Sequence, residues 1–385
     1  MPKTSRILLV HDYYQIRGGE DVVVDTEVQH LQDEGEYILL YSRNNAEIDS
    51  FSKFQRLLLP LSTIFSTKTF HEVRQIIKQN RISSIEVHNT LPLISPSVYY
   101  AAWAEGIPVT QVLHNFRLLC PGATFYRDGH VCEDCVHHSL WNAIKYKCYR
   151  NSRTSTFVLT MCLLIHRALG TWKRINQYIA LTEYSKLKFA SLLSSDKILV
   201  KPNSVMPTNS NIPIKDRSMD FIYVGRLDKV KGVWLLLDAF RRLPERQLWV
   251  VGSGPEESAM KDYIQRNVMI HVHMVGSVDH TVALEMIADS KVLLMPTLCY
   301  ETYGLTVKEA LVHGTYVIAS NIGSIGHLLS NVETAFLFTP NSVEEFINCI
   351  NNIYIYINEI CLILLLYIVL AHGNKEWYLT RHVYQ

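Results

Sequence analysis

Residues 292–310 read VLLMPTLCYETYGLTVKEA, and this stretch decides the fold of the second half of the chain. The apolar run Val292–Met295 predicts a buried strand, and the segment from Leu305 onwards predicts a helix. The loop between them carries Glu301, and the helix carries Glu309. A strand, a loop with chemically active side chains and a helix form the repeating unit of parallel α/β sheets, in which ligands bind beyond the carboxyl ends of the strands.

The spacing of the two glutamates limits what they can do together. Seven residues stand between Glu301 and Glu309, and eight helical steps would separate them by roughly 12 Å. Glycosidase carboxyl pairs lie roughly 5–9.5 Å apart, which disfavours a shared acid–base role on one bond. We expect each carboxylate to hold a different part of one long ligand, with backbone amides at 304–306 receiving phosphate. The alternatives are an ordinary loop carboxylate at Glu301 and an exposed helix residue at Glu309.

The same alternation of strands and helices continues outward in both directions. In the second half, strands are predicted at Asp220–Val224, Gln247–Val251, Ile270–Val275, Val292–Met295, Tyr316–Ala319 and Ala335–Phe338. In the first half, they are predicted at Arg6–Val10, Tyr37–Tyr41, Ile85–His88, Val109–Leu113 and Tyr178–Leu181. Helical patterns fall between them. The alternation predicts an α/β protein with two doubly wound parallel sheets facing each other across a cleft.

Length and composition divide the chain into parts. A chain of 385 residues is too long for one ordinary core, and the Pro-, Asn- and Ser-rich stretch Lys201–Pro213 is typical of a linker. We predict an N-terminal domain over 1–200, a linker over 201–217, a C-terminal domain over 218–348 and an atypical apolar tail over 349–385. Within the first domain, residues 120–153 are polar, aromatic and cysteine-bearing, which indicates a long insertion near the cleft.

Composition also bears on partners and location. The formal net charge of +1 gives no whole-molecule reason to expect nucleic acid, and we predict no such partner. The apolar run Ile7–Val10 is shorter than the roughly seven residues that a secretory signal needs, so we expect the chain in the cytoplasm. Eight cysteines are too sparse for a disulfide scaffold.

Two further loops have the composition of anion-binding sites. Gly225 follows a predicted strand and precedes Arg226 and Lys231, two cations five positions apart. Arginine grips phosphate with two donors, and lysine adds a point charge; the alternative is a solvated loop with two ordinary cations. Gly18-Gly19 follows the first predicted strand and precedes a helix, where backbone can approach an anion closely. It lacks the GxGxxG spacing of a dinucleotide site, and a plain turn is the alternative.

Glu-x7-Glu in this setting resembles the signature of retaining glycosyltransferases of family 4, the glycosyl transferases group 1. The resemblance extends to Tyr223–Leu227 with Lys231-Gly232, to Val250–Pro255 and to His313–Ser320, in family order and spacing, and covers about residues 4–348. It implies the GT-B architecture of two Rossmann-like domains. It also implies an enzyme that moves a sugar from a UDP- or GDP-sugar to an acceptor hydroxyl and keeps the anomeric configuration.

The resemblance implies roles for the residues that face the nucleotide. Arg226 and Lys231 would hold the donor diphosphate, which Gly18 and Gly19 would approach from the first domain. Glu309 would accept the ribose hydroxyls. No Asp-x-Asp motif occurs at a strand end, so we expect side-chain cations rather than Mg²⁺ to stabilise the leaving diphosphate, and no cofactor to be required for catalysis.

Other roles concern the transferred sugar. Glu301 would contact it, helped by main-chain groups of Tyr303, Gly304 and Leu305. His114 stands where the family often has a histidine near the reacting sugar; a histidine that only packs at the strand end is the alternative. In the family, the leaving phosphate takes the acceptor proton from the front side of the sugar, which fits a sequence without a clear catalytic base.

One segment narrows the resemblance. Residues 114–121, HNFRLLCP, are followed by YRDG at 126–129 and CEDC at 132–135, and this succession resembles bacterial enzymes that build capsule, exopolysaccharide or lipopolysaccharide. It implies a role in surface polysaccharide biosynthesis, a sugar or lipid-linked glycan as acceptor, and peripheral association with the inner face of the cell membrane.

The same segment carries four cysteines with a possible structural role. Cys120, Cys132, Cys135 and Cys148 have the composition of a four-thiolate zinc site, although only Cys132 and Cys135 form a CxxC pair. Reduced thiols in a loop are the alternative. Zinc at this position would be structural rather than catalytic.

The C-terminus departs from the family pattern. Family members continue with a polar amphipathic helix that returns to the first domain, whereas Ile360–Ala371 is a run of twelve apolar residues. This run is shorter than the roughly twenty residues of a membrane span, so a buried or interfacial helix is expected. Two other functions therefore stay open: a sugar-nucleotide epimerase or hydrolase of GT-B shape, which needs no acceptor, and an inactive, truncated binding protein.

Overall fold

The computed structural model describes residues 6–205 and 212–357. In chain order the strands are β1 Arg6–Tyr13, β2 Tyr37–Asn44, β3 Ser84–Val87, β4 Val109–Leu113, β5 Tyr126–Arg127, β6 His130–Val131, β7 Gln177–Ala180, β8 Ile198–Val200, β9 Met219–Val224, β10 Leu248–Val251, β11 Val272–Gly276, β12 Ser290–Met295, β13 Tyr316–Ser320 and β14 Ala335–Phe338. The apolar run Ile360–Ala371 lies outside the described residues.

Helices connect the strands. They are α1 Gly19–Asp33, α2 Lys53–Ile64, α3 Thr67–Asn80, α4 Ser97–Ala104, α5 Asp134–His137, α6 Trp141–Lys145, α7 Arg153–Ala168, α8 Thr171–Arg174, α9 Glu183–Phe189, α10 Val233–Arg241, α11 Glu257–Arg266, α12 His280–Ala288, α13 Leu305–Val312 and α14 Gly323–Leu329. Residues 343–357 are also helical, and Phe346, Ile350, Ile353 and Ile357 on this helix are buried in the second core.

The strands form two parallel sheets of six strands each, in the orders β2-β1-β3-β4-β7-β8 and β11-β10-β9-β12-β13-β14. In each sheet the chain first builds one flank and then crosses to the other. The resulting switch points lie between β1 and β3 and between β9 and β12. Loops that leave such neighbouring strands diverge and open a crevice, which is where ligands bind in doubly wound sheets. The loops after β9 and β12 are therefore neighbours although they are far apart in sequence.

Helices cover both faces of each sheet, so the central strands are almost continuously apolar, as parallel sheets require. Leu8 and Val10 of β1 and Ile85 of β3 are buried in the first core. Phe221 and Tyr223 of β9 are buried in the second. The predicted fold class is confirmed: the chain is an α/β protein with two Rossmann-like parallel sheets.

Some element predictions need correction. β1 was predicted to end at Val10 and instead runs to Tyr13, because His11 and Asp12 are buried rather than exposed. β8 was not predicted. Helix α2 contains Pro60 and exposes apolar side chains, which weakens its helical pattern. The insertion over 120–153 contains the hairpin β5–β6 and the short helices α5 and α6. Within the part of the chain that the structure describes, no helix is both long and apolar enough to cross a membrane.

Candidate active site

The loop from β12 to α13 carries Glu301 and lies at the switch point of the second sheet. β12 ends at Met295, and α13 begins at Leu305 with Gly304 as its N-terminal cap. Gly304 has a φ of +79°, and a Cβ atom there would lie 2.2 Å from Cδ1 of Ile325. Only glycine adopts this backbone region readily and leaves the space free. Gly304 therefore fixes the direction in which α13 leaves the loop.

A second loop, after β9, packs against the first and brings a lysine to it. Gly232 makes the approach possible, because a Cβ atom on it would lie 1.8 Å from the carbonyl oxygen of Pro296. The preceding residue, Lys231, thereby reaches the β12–α13 loop, and its Nζ donates to Oε1 of Glu301 over 2.5 Å. The two loops of the switch point are joined by an ion pair between two predicted site residues.

The surroundings of this pair keep the lysine charged. Oε1 of Glu301 also accepts from Oγ1 of Thr297 over 3.1 Å. Burial is the largest single influence and would alone lower the pKa of Lys231, but the charge and the hydrogen bond of Glu301, together with the neighbouring Cys299, raise it above its usual value. Burial raises the pKa of the neighbouring Cys299 thiol to about 12. The pocket therefore holds an ammonium group and a neutral thiol at physiological pH.

Arg226, the other predicted cation, occupies the open side of the same loop. Its side chain is half-exposed, and Nη2 lies 2.9 Å from Oδ2 of Asp228. Oδ1 of Asp228 accepts from the backbone N–H of Val230 over 3.3 Å and so begins the 3-10 turn Lys229–Lys231. One aspartate thus orders both the guanidinium group and the turn that carries the ammonium group of Lys231.

Glu309 is buried inside α13, and its side chain reaches the preceding helix. The residue is only 3% exposed, and its Oε1 lies 2.7 Å from Nε2 of His280 in α12. The alternative of an exposed helix residue is therefore wrong. A buried carboxylate with a single described side-chain partner keeps lone pairs for hydroxyl groups of a ligand.

In the first sheet, the glycines follow β1 and begin α1. The backbone N–H of Gly18 donates to Oδ2 of Asp21 over 2.9 Å, and Oδ1 of Asp21 lies 2.8 Å from Nε2 of His11. His11 and Asp21 are both fully buried. They hold the glycine turn in place, and nothing lies within 4 Å of a Cβ atom built on Gly18 or Gly19, so the space beside these glycines is open.

The sequence did not single out the polar cluster beside this turn. Oε2 of Glu20 accepts from the hydroxyl of Tyr14 over 2.8 Å and from Nδ2 of Asn115 over 3.3 Å. Burial raises the pKa of the Glu20 carboxyl group. Asn115 follows His114 directly, so the cluster ties the loop after β4 to the glycine turn. In the sequence, the only indication of this cluster is that Glu20 follows Gly18-Gly19 and Asn115 follows His114.

His114 stands at the carboxyl end of β4 and contacts both domains. Its ring is half-buried, and Nε2 lies 2.7 Å from Nδ1 of His88, which follows β3. Its carbonyl oxygen accepts from Oγ1 of Thr302 over 2.6 Å. Burial, together with the neighbouring imidazoles of His88 and His11, holds the pKa of His114 well below its usual value. The ring is therefore neutral beside the loop that carries Glu301.

The β12–α13 loop is held between the domains on both sides. The carbonyl of Thr302 accepts from the hydroxyls of Thr182 and Ser185 over 3.1 and 3.0 Å. The hydroxyl of Tyr303 donates to the carbonyl of Asn203 over 2.8 Å, and its ring packs on a small apolar cluster of the first domain. Two residues beside Glu301 therefore serve as interdomain contacts.

Comparison with known proteins identifies the part of the chain that holds most of these groups. Residues 208–355 match the family model described as glycosyl transferases group 1. This part of the chain is similar to a group 1 glycosyltransferase domain. This domain includes Arg226, Lys231, Glu301 and Glu309.

Curated relatives agree with this family. The chain is similar to glycogen synthase of Mycobacterium tuberculosis, with 32% identity over 129 residues, or 32% of this chain and 31% of the relative. Phosphatidyl-myo-inositol mannosyltransferase of Mycobacterium leprae is 26% identical over 211 residues, or 49% of this chain and 54% of the relative. The match therefore spans about a third to a half of the length of these relatives.

Solved structures share the fold over almost the whole chain. Sucrose-phosphate synthase of Thermosynechococcus elongatus superposes with a TM-score of 0.65 at 18% identity, and covers 91% of this chain and 90% of its own. HepE of Anabaena, solved in complex with UDP-glucose, superposes with a TM-score of 0.63 at 17% identity, over 90% and 89%. The likeness establishes the GT-B arrangement of the two sheets.

The cysteine-bearing insertion touches the β12–α13 loop. The ring of Tyr300 packs against the rings of Phe116 and Phe125, and its hydroxyl donates to Oε1 of Glu133 over 2.8 Å. Nζ of Lys188 donates to the same carboxylate oxygen over 2.7 Å. The insertion thus supports the residue that precedes Glu301.

The four cysteines of the insertion lie near one another as free thiols. Cys120 is buried, and burial together with neighbouring cysteines raises the pKa of Cys135 to about 12 and that of Cys148 to about 11. Among the described residues, Glu27, Glu86 and His88 form the group that could hold a metal ion, with three ligand atoms within 4.8 Å of one another. The cysteine zinc site stays a prediction.

The structure brings several of the predicted site residues into contact with one another or with neighbouring residues. Lys231 bonds Glu301, and His114 bonds Thr302 beside it. Glu309 bonds His280, which the sequence did not indicate. Residues Gly304 and Leu305 form the start of α13, so their N–H groups are among those that a helix leaves without partners.

Proposed function

We propose that the chain is a retaining glycosyltransferase that moves a sugar from a nucleoside diphosphate sugar to an acceptor hydroxyl group. The observation that carries this proposal is the Lys231–Glu301 ion pair at the switch point of the glycosyltransferase domain. A partly buried ammonium group at the mouth of a parallel sheet suits a diphosphate, and the carboxylate beside it suits a sugar.

The proposed donor site has three parts. Lys231 and the half-exposed Arg226 contact the diphosphate, together with N–H groups at the start of α13. Glu309 accepts the ribose hydroxyls deeper in the domain. Gly18 and Gly19 approach the diphosphate from across the cleft. A UDP-sugar is the first choice of donor, since HepE was solved with UDP-glucose, and a GDP-sugar is the second.

The proposed reaction exchanges one bond of the sugar for another. The bond from the anomeric carbon to the phosphate oxygen breaks, and the bond to the acceptor oxygen forms on the same face. The acceptor proton passes to the leaving phosphate oxygen. Negative charge grows on the diphosphate, so Lys231 and Arg226 stabilise the transition state more than the ground state. Detection of the product's anomeric configuration by NMR tests retention.

We further propose that the acceptor is lipid-linked and belongs to surface polysaccharide synthesis, with the protein at the inner face of the cell membrane. The mannosyltransferase relative is named for a phosphatidyl-inositol acceptor. Helix α2 exposes Phe54, Leu57 and Leu61 by 68%, 73% and 66% and carries Lys53 and Arg56. Such a helix suits an anionic membrane interface. Unchanged binding of Leu57→Asp/Leu61→Asp protein to anionic vesicles would argue against it.

A donor screen followed by a transfer assay tests the main proposal. UDP- and GDP-sugars are screened for thermal stabilisation, because a ligand at 100 times its Kd adds about 2.7 kcal/mol. Lys231→Met should abolish the stabilisation by the preferred donor. Lys229→Met is the matched control, since this lysine lies in the same turn and is exposed. Donor turnover that needs no acceptor would indicate an epimerase or hydrolase, and donor binding without any turnover would indicate a binding protein.

A further inference from the structure

His88 stands between two carboxylates and the ring of His114. Its side chain is 0% exposed, and its Nε2 lies 3.3 Å from Oε1 of Glu86 and 3.8 Å from Oε2 of Glu27. On the opposite edge, its Nδ1 lies 2.7 Å from Nε2 of His114. One buried ring therefore faces negative charge with one nitrogen and a second imidazole with the other.

These contacts decide where the hydrogens sit when both rings are neutral. A neutral imidazole carries one N–H group and one lone pair. Carboxylate oxygens attract an N–H group and repel a lone pair, so the hydrogen of His88 belongs on Nε2. Its Nδ1 must then accept, and the hydrogen bond to His114 requires the hydrogen of that ring on Nε2. Nδ1 of His114 is left as an acceptor.

We propose that Glu86 and Glu27 act through His88 as positioning residues that hold His114 in its Nε2–H form, so that Nδ1 accepts a hydrogen bond from a hydroxyl group of the transferred sugar. This inference rests on the proposed function. The ring of His114 is half-buried at the carboxyl edge of the first sheet, and its carbonyl oxygen bonds Thr302, the residue after Glu301. His114 thus lies beside the loop proposed to contact the sugar.

The charges behind His88 favour a proton rather than a metal ion on Nε2. Nζ of Lys201 lies 3.0 Å from Oε1 of Glu27 and already offsets one of the two carboxylates. Burial alone would raise the pKa of Glu86, but its contact with His88 and the charge of Lys201 lower it. A divalent cation on the same three side chains would instead bind the lone pair of Nε2 and reverse the tautomers of His88 and His114. The tautomers therefore distinguish a proton on Nε2 from a metal ion.

The first test reads the tautomers directly in the wild-type protein. Histidine labelled with ¹⁵N distinguishes protonated from unprotonated ring nitrogens by chemical shift and by two-bond proton couplings, and His88→Phe and His114→Phe variants assign the signals. We expect protonated Nε2 and unprotonated Nδ1 in both rings at pH 8. An unprotonated Nε2 on His114 would overturn the proposal, whether its cause is a charged His88 or a bound cation. The result does not depend on transfer activity, so it is separate from failure of the proposed function.

The second test asks whether the tautomer matters for transfer. In Glu27→Gln/Glu86→Gln protein, the amide groups can donate to Nε2 of His88. His88 can then change its tautomer, and His114 is no longer held in its Nε2–H form. We expect kcat to fall about three- to tenfold, as for loss of one neutral hydrogen bond, while the donor KM changes less than about twofold. Glu105→Gln is the matched control, because this carboxylate pairs with Arg74 in the same domain. An unchanged kcat in a variant with altered tautomers would overturn the role of Nδ1.

Discussion

Lys231 and Glu301 form a partly buried ion pair in which Nζ lies 2.5 Å from Oε1, although 70 positions separate them in the sequence. In the proposed function, one partner contacts the donor diphosphate and the other contacts the sugar. In the free protein, Glu301 therefore neutralises the ammonium group of Lys231. Glu301 and the nucleotide diphosphate compete for this ammonium group. This competition makes the two side chains separable by experiment.

Glu301→Gln should depress turnover without weakening the binding of free nucleotide. The amide cannot stabilise positive charge on the sugar ring, and the loss of one charge-assisted contact is worth roughly 1.5–3 kcal/mol, or about ten- to hundredfold in kcat. Because Lys231 loses its counter-ion, free UDP or GDP should bind at least as tightly as before. Calorimetric titration beside transfer kinetics measures both effects.

Glu309→Gln should instead weaken the binding of the nucleotide itself. The amide keeps the shape and can still accept from His280, but it holds ribose hydroxyls without a negative charge, and affinity should fall about ten- to hundredfold. The loss should appear with free UDP or GDP as well as with the donor. Glu285→Gln, an exposed carboxylate on the adjacent helix α12, is the control. Equal losses of free-nucleotide affinity in the Glu301 and Glu309 variants would contradict the proposed division of roles.

Gly232→Ala should cost more stability than Gly276→Ala, although both glycines have positive φ. At Gly276 nothing lies within 4 Å of the added Cβ atom, so we expect only the backbone cost of about 1–2 kcal/mol. At Gly232 the added atom would lie 1.8 Å from the backbone of Pro296, which adds about 1–3 kcal/mol. Chemical denaturation measures both free energies of unfolding. Equal costs would mean that the two loops separate easily.

Purified protein should contain about one zinc ion per chain if the thiols of the insertion bind the metal, and Cys132→Ser should lose it. Thiolates must form on binding, and the raised pKa values of Cys135 and Cys148 oppose this at neutral pH. Zinc affinity should therefore increase with pH. Cys349→Ser, a part-buried cysteine outside the insertion, is the control. If elemental analysis finds no zinc in protein prepared without chelator, the zinc site is wrong and the cysteines are reduced thiols.

Asp12→Asn should stabilise the protein increasingly as the pH rises from about 4 to about 7. Burial raises the pKa of Asp12 from 3.8 to about 7, so in this range the folded protein keeps a proton that the unfolded chain has released. Wild-type stability from this group is complete below pH 3.8 and is lost as the pH rises, by a total on the order of 4 kcal/mol. The variant lacks this loss. Denaturation of both proteins at several pH values measures the difference.

The control for this experiment is Asp33→Asn, an exposed carboxylate of α1. It should track the wild type throughout the pH range. A constant difference between Asp12→Asn and the wild type from pH 4 to pH 7 would show that Asp12 ionises as freely in the folded state as in the unfolded one.

The fold followed from local patterns that the chain repeats. Strand–loop–helix units are visible in sequence because both faces of a parallel sheet are covered, so its strands are apolar throughout. The pattern failed where this logic breaks down. His11 and Asp12 are polar residues buried in a strand. His11 contacts Asp21, which accepts from the backbone of Gly18, and the backbone of Leu93 donates to Asp12.

The site was predictable only in part, because its contacts join distant segments. Lys231 and Glu301 were each identified from their own loops, and nothing in the sequence indicated that they pair. The partner of Glu309, His280, lies on another helix. His88 was taken as the end of a strand, since only the fold places Glu27 from α1 beside it.

The position of Thr302 between the domains has a kinetic consequence. Its hydroxyl binds the first domain after β4, and its carbonyl receives two hydroxyls from the start of α9. The domains cannot move apart without releasing this residue, and Glu301 is its immediate neighbour. In the proposed enzyme, the sugar-contacting carboxylate would therefore be ordered only while the cleft is shut. Release of the nucleotide, rather than sugar transfer, would then limit the rate of each cycle. A protein with an open cleft would not hydrolyse its donor.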